Sequence, residues 1–163
     1  MKRIVIDTNI LVSAALSPKG KPAQIMILIS LNELQLFYCS KIIDEYKKVL
    51  AYEKLKIPFQ AQKNAIEGIN KLGISIEPKA SIIPFPDEAD RIFYDVARAS
   101  GAILITGNIK HFPVESFIMT PSDFMALLEI EKTPWRLMNR KIKCNSYHQS
   151  LTKILQEEDD FHE

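Results

Sequence analysis

The chain has 163 residues, 47% of them apolar and 25% charged, which is the size and balance of one soluble domain rather than two. Lys and Arg total 21 against 20 Asp and Glu. The resulting net charge of +1 excludes a uniformly basic nucleic-acid clamp, though not an enzyme whose charges are segregated. Cys39 and Cys144 form no disulfide framework and read as reduced thiols of a cytoplasmic protein. The longest apolar run, residues 25–29, is far below the ~20 residues of a membrane span, so no membrane partner is expected. The N-terminal apolar stretch stops at Asp7 and does not read as a signal peptide.

In chain order, Ile4-Val5-Ile6 is an unbroken β-branched run, read as a buried central strand of a parallel sheet. Asp7-Thr8-Asn9 reads as a polar turn at its end. Gly20 and Pro22 punctuate the chain before an apolar helix over residues 23–31, and residues 34–39 read as a second strand. Ser40 is placed to cap a helix that brings Ile42, Ile43, Tyr46, Val49 and Leu50 onto one face. Pro58 starts another, with Ala61, Ala65, Ile66, Ile69 and Leu72 inward and Gly73 at its end.

A short strand over residues 74–76 and a proline-containing loop over 81–86 come next. The spacing then predicts a helix over 87–100, with acids in its first turn and Ile92, Phe93, Val96 and Ala97 facing the core. Gly101 ends it. Residues 102–106 are the clearest buried strand, 117–119 are a last short one, and Thr120-Pro121-Ser122-Asp123 opens a helix to about residue 130. Strands alternating with helices specify an α/β fold, a three-layer α/β/α sandwich with a central parallel sheet.

The final segment has a different composition. Between Lys132 and Lys153 stand six basic residues and no acid, with Trp135 and Tyr147 among them, and five acids and no base lie between Glu157 and Glu163. Tyr147, Leu151, Ile154 and Leu155 share a helical face. The organisation expected is a catalytic domain over 1–130 and a helical extension over 131–163, basic and then acidic. The extension is expected to dock on the domain or on a second copy, giving a homodimer.

Parallel α/β sheets carry their chemistry at the carboxyl ends of their strands. Asp7 ends the first strand, Glu45 lies near the start of the helix after the second, Asp90 lies in the first turn of its helix beside Asp87 and Glu88, and Asn108 follows the strand over 102–106. All four are expected at one edge. Clustered carboxylates repel one another unless a cation sits among them. A set of oxygen donors without Cys or His favours Mg²⁺ or Mn²⁺ over zinc, and such an ion activates water for phosphodiester displacement. His111 and Lys110 read first as structural groups in a turn and second as contacts to a phosphate.

Three segments together resemble the PIN-domain family, and within it the VapC-like toxins of prokaryotic toxin–antitoxin pairs. They are Val5-Ile6-Asp7-Thr8-Asn9, Asp87-Glu88-Ala89-Asp90-Arg91, and Leu104-Ile105-Thr106-Gly107-Asn108 with Lys110-His111-Phe112-Pro113 after it. Thr120-Pro121-Ser122-Asp123-Phe124 is similar to that group's usual ending, and the resemblance covers about residues 3 to 128. It implies a Mg²⁺- or Mn²⁺-dependent ribonuclease with RNA as substrate and a cognate antitoxin as partner. Asp7, Glu45, Asp90 and Asn108 would be its catalytic and metal positions, with Asn9 and Thr106 in support. The fourth position is often Asp in the family. Asn108 lowers the site's negative charge by one, which leaves one metal or two open.

Other enzyme classes lack their signatures. A haloacid-dehalogenase-like phosphatase needs a second Asp where Asn9 stands, and neither GxGxxG nor GxxxxGK[ST] occurs. The alternative of a different class is a PIN fold kept as a catalytically weak RNA- or protein-binding module, supported by Asn108 and the extension.

Overall fold

The computed structural model describes residues 1–131. Five strands, β1 (Lys2–Ile6), β2 (Leu34–Tyr38), β3 (Ile74–Ser75), β4 (Ile103–Ile105) and β5 (Ile118–Met119), form one sheet in the order β3-β2-β1-β4-β5. Every pairing is parallel. Central β1 pairs with β2 on one side, Ile4 opposite Leu36, and with β4 on the other, Ile6 opposite Ile105. Ile4, Val5 and Ile6 are fully buried, as a strand covered on both faces requires. The helices are α1 (Thr8–Leu16), α2 (Lys21–Ser30), α3 (Ser40–Leu50), α4 (Phe59–Leu72) and α5 (Arg91–Ser100), and a further helix begins at residue 121. They cover the sheet on both faces, so the three-layer α/β/α sandwich read from the sequence is the architecture found. Residues Met1–Met125 make up one compact unit, which holds all five strands and α1 to α5. The extension over 131–163, Cys144 included, lies outside the described residues apart from its first residue.

The chain runs outward from β1 through β2 to β3, then returns to lay β4 on the other side of β1. The strand order therefore reverses between β1 and β4, and the carboxyl ends of these two strands flank the crevice that such a reversal opens. Asp7 leaves β1 at this point and Thr106 leaves β4 there. Gly101 makes the return possible. At φ 60° it takes the left-handed conformation that stops α5 and turns the chain into β4.

Two elements differ from expectation. Asp7-Thr8-Asn9 is no isolated turn, because α1 starts directly at Thr8 and buries Ile10 and Leu11. Its Ile-Leu-Val run has β-branched character, and packing against α2 and α3 overrides that local preference. Helix α5 begins at Arg91 and not at residue 87. Upstream, the Asp87 carboxylate competes for the backbone by accepting from the Ala89 N–H at 2.9 Å, while Glu88 separately grips the Arg91 guanidinium at 2.6 and 2.7 Å. The faces of α3 and α4 are also narrower than their apolar patterns. Val49 is half-buried, Ala65 and Leu72 likewise, and Ala61 is exposed.

Tyr46 of α3 is fully buried with its ring 6.2 Å from that of Phe93 on α5, and its hydroxyl donates to the Ile6 carbonyl. That bond fixes the last residue of β1 immediately before Asp7. Tyr46→Phe would leave a buried carbonyl without its donor. The expected result is a loss of about 1–3 kcal/mol in urea unfolding, and an unchanged midpoint would show that the carbonyl is satisfied otherwise.

Candidate active site

The crevice is an open cleft of about 460 Å³ whose lining includes Asp7, Asn9, Glu45, Asp87, Asp90, Asn108 and His111. All four positions expected to carry the chemistry are therefore brought to one cleft, from four separate elements. Asp87, a neighbour that competed with Asp90 in the sequence, lines the same cleft. Glu88 instead borders an adjoining hollow, which also reaches Glu45 and Arg91.

Asp7 is the most constrained of these groups. It is only 5% exposed, and one of its carboxylate oxygens accepts from the Thr106 hydroxyl at 2.7 Å and from the Asn9 amide at 2.6 Å. Thr106 is itself fully buried, and its oxygen accepts from the Asn108 N–H at 2.9 Å. The same hydroxyl thus holds Asp7 and the backbone of Asn108 in register across β1 and β4. Asn9 completes the brace by accepting from the Gly107 N–H at 3.0 Å. A Cβ on residue 107 would stand 3.3 Å from that Asn9 oxygen, so glycine permits the close approach. Thr106, expected in support of the site, is buried and positions Asp7.

Burial pushes the Asp7 carboxyl above its usual range, and the hydrogen bonds from Thr106 and Asn9 oppose that shift only in part. Asp90 stands at the head of α5 yet makes no side-chain capping bond there. Its carboxylate lies 3.1 Å from His111 Nδ1 instead. Partial burial raises its pKa first and the charge of Asp7 second, while His111 pulls the other way. The two acids therefore feel each other electrostatically. Glu45 lies midway along α3, the sixth of its eleven residues and not near its start as expected, and reaches the cleft from its half-buried flank.

The donor set suits a hard divalent cation, because carboxylate and amide oxygens supply nearly all of it. The Thr8 hydroxyl fits the same view. It is buried on the cleft wall beside Asp7 without a hydrogen-bond partner, as a group does when ordered water completes its bonding. Among the described residues no three His, Cys, Asp or Glu side chains are gathered tightly enough to enclose an ion outright.

Lys110 is exposed and absent from the cleft lining, whereas His111 lines it. The structural bond expected of His111 is present, with Asp90 as its partner. Sequence reasoning did not single out Tyr52 and Lys54, which border the same cleft just beyond α3. A tyrosine two residues before a lysine, just past a helix end, was the available signal. No helix among the described residues is long and apolar enough to cross a membrane.

Comparison with known proteins identifies the family. An uncharacterized protein of Methanocaldococcus jannaschii is 31% identical over 110 residues, covering 65% of this chain and 70% of that one. The crystal structure of VapBC2 from Rickettsia felis, bound to a DNA fragment from its promoter, is similar at 18% identity. It covers 66% of this chain and 89% of that one, with a TM-score of 0.47. Residues 3–110 match the family model described as the PIN domain, and they span β1, β4 and every acid of the cleft. The chain belongs to the PIN-domain family.

Proposed function

We propose that this protein is a Mg²⁺- or Mn²⁺-dependent endoribonuclease that serves as the toxin of a toxin–antitoxin pair. One observation carries the catalytic part of this reading. Asp7 and Asp90 come from distant parts of the chain, line one cleft, and hold raised carboxyl pKa values, that of Asp90 in part through the charge of Asp7. Such a pair is relieved either by protons or by a cation.

A divalent ion bound there would polarise a phosphodiester and lower the pKa of an attacking water. The residues of the chain have separate tasks around it. Asp7 presents a carboxylate whose orientation Thr106 and Asn9 fix in advance, so little reorganisation is needed. Asp90 and Glu45 supply the remaining negative oxygens, and Asn108 supplies a neutral one. His111 steadies Asp90 and is close enough to exchange a proton with it. RNA as substrate and an antitoxin as partner rest on the motif resemblance, including the segment Thr120-Pro121-Ser122-Asp123-Phe124.

The test is incubation of purified full-length protein with single-stranded RNA, in Mn²⁺ or in EDTA, alongside Glu45→Gln. Cleavage confined to Mn²⁺ and strongly reduced by the substitution is the expected outcome. Asn108 and the separation of the acids favour one other reading, a PIN fold that binds RNA with little turnover. RNA bound without cleavage at saturating Mn²⁺ would establish that reading instead. Asn108→Asp restores a charged oxygen and should tighten Mn²⁺ binding on the order of tenfold by calorimetry. An unchanged affinity would place Asn108 beyond contact with the ion.

A further inference from the structure

We propose that the Tyr52–Lys54 corner of the cleft holds one unpaired nucleotide of the substrate, its base stacked on Tyr52 and its phosphate on Lys54. The inference rests on the nuclease reading above and adds a nucleotide subsite to its cleft.

The corner is built rather than incidental. Just beyond α3, the Tyr52 N–H donates to the Val49 carbonyl at 3.1 Å, and the Tyr52 carbonyl accepts from the Leu55 N–H at 2.9 Å. The short turn Glu53–Leu55 thus fixes the Tyr52 backbone from both sides. Tyr46 and Tyr94 bury their rings completely, but Tyr52 is 40% exposed and lines the cleft with Val49 and Leu55. The Lys54 ammonium lies 5.6 Å from the centroid of the Tyr52 ring.

Charge decides what this corner is for. Asp7, Glu45, Asp87 and Asp90 line the rest of the cleft and repel a polyanion. Among the described lining residues Lys54 is the one lysine or arginine, and His111 is already engaged with Asp90. A phosphate next to the scissile one is therefore attracted to Lys54, and the base attached to it arrives at Tyr52. An aromatic face accepts any base but needs that base unpaired and unstacked, which a single strand offers at little cost and a duplex does not.

The experiment uses full-length protein in Mn²⁺ and a phosphorothioate-linked single-stranded oligoribonucleotide carrying 2-aminopurine, alone or annealed to its complement. Wild type and Tyr52→Phe should quench the fluorophore on binding. Tyr52→Ala should lose the quenching and bind about tenfold more weakly. Lys54→Gln, at an exposed position where folding is not at risk, should reduce the slope of log affinity against log salt by about 0.7. The duplex should bind at least about tenfold more weakly than the single strand. Wild-type quenching and affinity in Tyr52→Ala, or equal binding of duplex and single strand, would overturn the proposal. Quenching at Tyr52 without cleavage of ordinary RNA would sink the nuclease reading and leave the stacking site standing. Cleavage with no dependence on Tyr52 or Lys54 would do the reverse.

Discussion

Asp7→Asn is expected to lower Mn²⁺-dependent RNA cleavage by about a thousandfold while leaving the protein folded. The size follows from removing a charged group that is preorganised at the reacting centre. The folding outcome follows from the site's own electrostatics. Burial raises the Asp7 pKa, so its ionised form is less favoured in the folded chain than in the unfolded one. Asparagine is isosteric and keeps an oxygen that can accept from Thr106 and Asn9. Thermal melts in EDTA should show the variant at least as stable as wild type. A clear drop in stability together with the loss of activity would make Asp7 a structural residue.

The second large effect is the link between pH, metal and stability. Asp7 and Asp90 both have folded-state pKa values above the usual 3.8. A raised pKa means that the folded state holds its proton more tightly. The contribution of each group is therefore fully present below the unfolded pKa and is lost as pH rises through the folded one. In EDTA, the difference in melting temperature between Asp7→Asn and wild type should widen in favour of the variant as pH rises above about 4. Saturating Mn²⁺ favours the ionised forms and should reverse the difference at neutral pH. At an ion concentration a hundred times its Kd, stabilisation of wild type should reach about 2.7 kcal/mol. A variant-minus-wild-type difference that stays flat with pH, or Mn²⁺ that stabilises both equally, would contradict this.

Much of the architecture was legible in the sequence because buried strands announce themselves. Ile4-Val5-Ile6 and residues 102–105 are unbroken apolar runs, and they form the centre of β1 and its neighbour β4. The rule that parallel sheets work at their carboxyl edge then placed Asp7, Glu45, Asp90 and Asn108 in one cleft from sequence alone. What escaped was set by tertiary contact. Helix α1 carries a β-branched run that only its neighbours hold helical, and the start of α5 shifted because the Asp87 side chain bonds the local backbone. Thr106 sits two residues from Asn108 in sequence, and nothing in that spacing distinguishes a ligand contact from a buried brace 99 residues from its partner Asp7. The Tyr46 hydroxyl was hidden for the opposite reason, since its ring fits the apolar face of α3 so well that the pattern reads as plain core.

The central claim is that Asp7 and Asp90 share one divalent ion, and anomalous diffraction from crystals of the full-length protein grown with Mn²⁺ measures it directly. A single strong peak is expected in the cleft, about 2–2.5 Å from a carboxylate oxygen of Asp7 and one of Asp90, and it should disappear in Asp7→Asn. A cleft without a peak at saturating Mn²⁺, or a peak that contacts neither carboxylate, would contradict the claim.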